Sequence, residues 1–224
     1  MLVSLLSYTK DPVETIFASI KVMREAVPHT LAELGVSREE MEKQISWIYN
    51  GNIQGAFEFI NFIFLLEDVN RGTTHQLVRH RVGWSYSQQS QRAVNMSEFG
   101  YTLPPKVKDN PEALEVYTGC MKDIQTAYNK LTGIVPIEDA RGVLPTNVYT
   151  NIMAVCTFRA LLACAETRLC VKIQEEFQNV VKMMKEEVTK VDPFLGKLIV
   201  CKCERTHYCE YFAEGCGKYP KRSV

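Results

Sequence analysis

Eleven consecutive residues, Ala56-Phe-Glu-Phe-Ile-Asn-Phe-Ile-Phe-Leu-Leu66, hold four phenylalanines and four branched aliphatic residues. Aromatic and branched side chains pack best on a pleated, covered surface. Phe57, Phe59 and Asn61 alternate with Glu58, Ile60 and Phe62, so the run predicts one long, mostly buried strand. A chain built around it contains a sheet. Leu2 to Tyr8, short and apolar, reads as a second strand.

Helices account for most of the rest. Asp11-Pro12-Val13-Glu14 opens one: Asp caps, Pro fits the first turn and Glu takes the capping-box position. Its buried stripe is Val13, Ile16, Phe17, Ile20, Met23 and Val27. Ser37-Arg-Glu-Glu40 is a second capping box, starting a helix through Ile45 and Ile48. Thr73 to His80 forms a short helix. Asn110-Pro111 starts another, in which Leu114, Tyr117, Met121, Ile124, Tyr128 and Leu131 step by three and four until Gly133 ends it. Further helices cover about 150–170, 172–190 and 193–201. The fold class is α+β, helix-rich with few strands, in a single domain over 1–224 whose last part, 201–224, is a Cys-rich tail. The narrow seam from Leu114 to Leu131 serves either packing inside the domain or assembly of an oligomer.

Composition narrows the function. Twenty-six Lys+Arg balance twenty-six Asp+Glu in 224 residues, which argues against a polybasic surface that tracks nucleic acid. No apolar run approaches the roughly 20 residues that cross a bilayer. The start lacks the basic segment of a signal peptide, and a cytoplasmic protein with mostly free thiols is expected. Of eight cysteines, Cys120, Cys156, Cys164 and Cys170 lie singly in apolar stretches, as buried thiols do. Cys201, Cys203, Cys209 and Cys216 crowd the tail with His207. Their spacing lacks paired Cys-x-x-Cys, so zinc is a minor reading and no metal is assigned.

The chemistry is concentrated between His75 and Arg92. Three Arg, two His, four Gln and three Ser fall within these eighteen residues. With a helix ending near His80, Gln76 and Arg79 share a face and Arg81 diverges from them, an arrangement able to grip two anionic ligands. Ser87 to Arg92 lacks a hydrophobic period and reads as a polar loop that can cup a phosphate. A solvated basic turn is the plainer alternative. No Gly-rich phosphate loop and no His-Glu-x-x-His occurs.

Arg79-His80-Arg81, eight residues and then Ser90 resembles the signature of the flavin-dependent thymidylate synthases. The flanks His75-Gln-Leu-Val and Gln88-Gln89-Ser90-Gln91-Arg92 agree with it. Ala140-Arg141-Gly-Val-Leu144-Pro145-Thr-Asn147-Val-Tyr149-Thr150 resembles a second block of the family. Arg159-Ala-Leu-Leu, Arg168, Gln174 and Glu176 resemble a third. The likeness covers residues 55–180 best.

The resemblance implies a central, mainly antiparallel sheet with flanking helices, a homotetramer with shared active sites, and FAD in each site. It implies methylation of dUMP at C5 to dTMP, with methylenetetrahydrofolate as carbon donor and NADPH as reductant. Carried over, Arg79, His80, Arg81, Gln88 and Arg159 bind the flavin. Gln76, Arg79, Gln88, Gln89, Ser90, Gln91, Arg92, Arg141 and Arg168 bind the nucleotide, the loop from Gln88 to Arg92 taking its phosphate. Arg168 is the catalytic residue, because a fixed planar guanidinium can stabilise negative charge on the pyrimidine. No catalytic cysteine is required.

Departures from the family pattern cluster on the flavin and folate side. Ile53-Gln-Gly-Ala-Phe57-Glu58-Phe59 stands where the family often has His-x-Thr-Pro-Phe-Glu-His. Thr157-Phe158 replaces Asn-Ala before Arg159, Ala163 replaces a polar residue, and Ala93 replaces an aromatic one. These leave room for a related C5 modifier, a UMP methylase or hydroxymethylase, and for a non-catalytic FAD- or nucleotide-binding relative.

Overall fold

The computed structural model describes residues 1–24 and 29–222. Four strands, β1 (Leu2–Tyr8), β2 (Asn61–Asn70), β3 (Trp84–Gln88) and β4 (Tyr149–Thr157), form one sheet in the order β1-β2-β4-β3. The end of β1 meets the start of β2, where Thr9 N–H donates to the Asn61 carbonyl. Arg71 N–H donates to Val148, and Phe158 N–H to Ile60. Gln89 N–H donates to Asn151, and Thr157 N–H to Gly83. Rising numbers on one strand therefore meet falling numbers on its neighbour, the antiparallel pattern.

Ten helices accompany the sheet among the described residues: α1 (Pro12–Val22), α2 (Arg38–Asn50), α3 (Arg71–Leu77), α4 (Pro105–Lys108), α5 (Pro111–Thr132), α6 (Ile137–Ala140), α7 (Phe158–Arg168), α8 (Glu175–Val191), α9 (Pro193–Leu198) and α10 (Lys202–Thr206). The class is α+β, as the sequence implies. Ser37 and Asn110 cap α2 and α5 by accepting from the N–H groups of Glu40 and Ala113. Asp11 does not cap α1 with its side chain, because the residue is itself in the left-handed region (φ 47). In α1 the stripe Val13, Ile16, Phe17 and Ile20 is buried, whereas Met23 is exposed. Val27 lies outside the described residues.

Three further expectations change. Residues Gly55–Phe59 form a 3-10 turn, with Phe57 N–H bonded to the Gln54 carbonyl, and the strand starts only at Asn61. Phe62, Phe64 and Leu66 are then buried on one face until Asp68, in left-handed backbone (φ 51), breaks the alternation. The stretch 150–170 is a strand followed by a helix, since Thr150, Ile152, Ala154 and Cys156 alternate into the core before Thr157 caps α7. The short helix begins at Arg71, because Asn70 Oδ1 accepts from Thr73 N–H at 2.7 Å, and it ends before Arg79.

The chain divides into two compact units. One comprises Met1–Leu2, Leu66–Arg79 and Tyr86–Met153, the other Val3–Leu65, His80–Ser85 and Ala154–Val224. In the first, Met121 and Tyr128 of α5 pack with Met96, Phe99, Ala140 and Val148, and Tyr128 Oη accepts from Met96 N–H at 3.1 Å. The seam of α5 thus packs within its own unit. In the second, Phe158 receives Phe57 and Phe62 edge-on at 5.6 and 5.8 Å between ring centroids. Gly83, at φ +72, lies against the start of α7; an added Cβ would stand 2.7 Å from Thr157 Oγ1 and 2.8 Å from Ala160 Cβ. No other residue fits that approach without displacing it.

Candidate active site

In the first unit the nucleotide-side residues gather around α3 and the end of β3. Gln76 lies on α3 and Arg79 just past its end, three residues apart, with Arg79 N–H donating to the Gln76 carbonyl at 3.3 Å. Tyr86 Oη donates to the Leu77 carbonyl at 2.9 Å and fixes β3 against this helix. Gln88, expected in a loop, is the last residue of β3. Its Nε2 donates to Thr74 Oγ1 at 2.8 Å and to Thr150 Oγ1 at 3.4 Å. Gln89 Oε1 accepts from Asn151 N–H at 3.2 Å. The polar turn therefore starts at Gln89, with the Ser90 carbonyl accepting from the N–H groups of Ala93 and Val94. Ser90 is exposed and Gln91 is buried.

Three arginines, Arg71, Arg92 and Arg141, belong to this unit, and two of them bond to Glu138. Arg92 pairs with Glu138 at 2.5 Å, while Arg141 Nε donates to the Glu138 backbone carbonyl at 3.1 Å. Arg71, which the sequence did not single out, begins α3. Burial first and the charge of Arg141 second lower its pKa. Its Nη1 is buried without a hydrogen-bond partner, and so is Nε2 of Gln91. Buried donors in this condition are costly unless an acceptor completes them. A phosphate supplies such acceptors and favours guanidinium donors.

In the second unit, His80, Arg168 and Phe177 form one cluster. Arg168 closes α7, and its Nε donates to His80 Nε2 at 3.4 Å. Its guanidinium carbon lies 4.6 Å over the Phe177 ring centroid. His80 faces Phe177 edge-on at 6.1 Å and lies 6.3 Å from Trp84. Burial and the neighbouring Arg168 lower its pKa, which keeps the ring neutral and able to accept. Among the described residues no carboxylate pairs with Arg168.

The remaining flavin-side residues are more open. Arg79 and Arg81 are exposed, and neither has an ion-pair partner among the described residues. Arg159 stands half-exposed beside Glu58, 2.5 Å away, on the 3-10 turn. Arg79 and Arg81, exposed and without a carboxylate partner among the described residues, each offer the donors that the diphosphate of FAD would take, whereas Arg159 would have to exchange Glu58 for it.

Of the cysteines, Cys164 lies against the His80–Arg168 cluster, its Sγ 3.8 Å from His80 Nε2. Cys156 and Cys164 are buried as expected, but Cys170 is only partly buried and Cys120 is exposed on the outer face of α5. Burial pushes the Cys164 thiol up to about 12. Cys170, Cys201, Cys203 and Cys209 line a cavity of about 350 Å³. No group of three or more His, Cys, Asp or Glu among the described residues could hold a metal ion. Among the described residues no helix is long and apolar enough to cross a membrane.

The fold is similar to that in the crystal structure of a UMP/dUMP methylase, PolB, from Streptomyces cacaoi bound with 5-Br dUMP. The TM-score is 0.71 over 88% of this chain and 93% of that one, at 19% identity. A family model described as thymidylate synthase complementing protein matches residues 4–194, and the chain belongs to this family. It is 35% identical to the flavin-dependent thymidylate synthase of Nitratidesulfovibrio vulgaris, over 98% of this chain and 96% of that protein. To the flavin-dependent thymidylate synthase of Clostridium tetani it is 31% identical, over 96% and 93%.

Proposed function

We propose that this protein is a flavin-dependent thymidylate synthase, a cytoplasmic enzyme that methylates dUMP at C5 to give dTMP. Methylenetetrahydrofolate donates the carbon and NADPH is the reductant. The chemistry that FAD supplies when bound is hydride transfer. The chain's own residues bind and polarise. Arg71, Arg92 and Arg141, with Ser90 and Gln91, take the nucleotide phosphate. Gln76 and Arg79 orient the nucleoside, and Arg79, His80, Arg81 and Arg159 hold the flavin.

The observation that carries the reading is Arg168, a partly buried guanidinium with no carboxylate partner among the described residues. A permanent planar cation placed on the pyrimidine edge stabilises the negative charge that makes C5 nucleophilic. The active form in this reading is a homotetramer in which the loop from Gln89 to Arg92 serves a neighbouring subunit's site. Mixing inactive Ser90→Ala and Arg168→Ala proteins then restores part of the activity when subunits exchange.

The direct test is anaerobic incubation of reduced, FAD-loaded protein with methylenetetrahydrofolate and either dUMP or UMP, the product identified by mass. A methyl group on dUMP supports the reading. Modification of UMP alone, or a hydroxymethyl product, assigns a related C5 modifier. No modification of either nucleotide overturns the assignment as an enzyme of this type.

A further inference from the structure

We propose that Phe177 is a positioning residue that sets the plane of the Arg168 guanidinium, with His80 fixing its rotation. The proposal rests on the catalytic reading of Arg168. Arg168 ends α7, where the chain leaves the helix through Leu169, and Phe177 lies in the first turn of α8. A side chain with four rotatable bonds at a helix terminus is not held by its own backbone. Two contacts hold it here. The Phe177 ring lies under the guanidinium carbon at 4.6 Å, and His80 Nε2 accepts from Nε at 3.4 Å.

These contacts differ in what they fix. A ring face attracts the cation through its quadrupole and favours a stacked plane. The single hydrogen bond to Nε fixes the rotation within that plane. Together they use Nε and one guanidinium face, leaving the two Nη groups for a planar ligand edge. Phe177 is itself fully buried and cannot swing away, and the His80 ring meets its edge. A carboxylate in place of the ring would also orient Arg168, but it would neutralise the charge needed on the pyrimidine. An aromatic platform orients without neutralising. Among the described residues Arg168 has no carboxylate partner, in keeping with that division of labour.

The experiment compares Phe177→Leu and Phe177→Met with wild type, each also combined with Arg168→Ala. Methionine nearly preserves apolar volume, so at least one variant is expected to fold. In FAD-loaded protein that melts cooperatively, both substitutions should lower kcat about tenfold, the scale of a small misplacement of a reacting group. KM for dUMP and nucleotide affinity by calorimetry should change less than about twofold. In the Arg168→Ala background the second substitution should have no further effect on kcat, because its influence passes through the side chain already removed.

A purely structural Phe177 would lower the melting temperature while leaving kcat of the folded protein intact, or would lower kcat equally with and without Arg168. Either result overturns the proposal. Near-normal turnover in Arg168→Ala alone would instead sink the catalytic reading of Arg168 and the proposal with it. Loss in Arg168→Ala with wild-type kcat in both Phe177 variants removes only the platform.

Discussion

Arg71 stands within electrostatic reach of Arg141, and one of its own terminal nitrogens is buried without an acceptor. Two like charges in this condition destabilise the unliganded chain, a cost that a bound anion would relieve. Arg71→Met should weaken dUMP binding about 10–100-fold, the loss of one or two charge-assisted hydrogen bonds. The same change should leave the melting temperature of the unliganded protein unchanged or raised by about 2–4 °C. Thermal shift with and without dUMP reads both effects. Wild-type affinity in the variant would remove Arg71 from the phosphate site.

Arg168→Ala should reduce turnover by roughly 100–1,000-fold, as for loss of one preorganised donor to transition-state charge. Arg168→Lys should rescue poorly, because an ammonium lacks the planar fork. Flavin loading, followed by the visible spectrum, should survive both changes. Normal turnover in folded, flavin-loaded Arg168→Ala would disprove the role.

His80 should make stability depend on mild acid. Its folded pKa lies below the ordinary value of 6.5, through burial first and the Arg168 charge second. Above 6.5 both folded and unfolded chains carry it neutral. As pH falls below 6.5 the unfolded chain binds the proton first, so stability is lost on the way down to and through the folded pKa. A protonated ring also cannot accept from Arg168 Nε. Melting curves of wild type and His80→Gln between pH 7.5 and 5 should therefore converge as the pH falls. Parallel curves would show that His80 does not titrate in this way.

Cysteine reactivity should follow burial rather than position in the tail. Cys120 and Cys216 are exposed, whereas burial pushes the thiols of Cys164 and Cys201 up to about 12. Iodoacetamide at pH 8, read by peptide mass, should label Cys120 and Cys216 first and leave Cys156, Cys164 and Cys201 until the protein unfolds. Replacing Cys201, Cys203, Cys209 and Cys216 with Ser should lower stability and spare the chemical step. Lost turnover in folded, flavin-loaded protein would give the tail a catalytic part.

Local signals were the legible ones. Ser37 and Asn110 cap their helices with side chains that reach only three residues, so the short pattern contained the whole interaction. The step of three and four along α5 likewise named its packed face. Where two periods coexist the sequence misled. Met153-Ala-Val-Cys156 is apolar at every position, and only the sheet decides that Ala154 and Cys156 point inward. The phenylalanines at 57 and 59 are aromatic enough for a strand, yet a 3-10 turn buries the first and exposes the second. The cluster of polar residues from His75 to Arg92 was visible as composition and as a family motif. Arg71 was not, because its meaning depends on Arg141, far along the chain. Phe177 was hidden in the same way behind Arg168.

Gly83 and Val82 are neighbours with opposite freedoms. Val82 is 90% exposed, while any side chain at Gly83 would meet Thr157 and Ala160 at the start of α7. A library randomised at both positions and selected for growth without thymidine should therefore return many amino acids at 82 and almost only glycine at 83. The turn between His80 and Trp84 is in this sense a fixed joint whose one replaceable position is Val82.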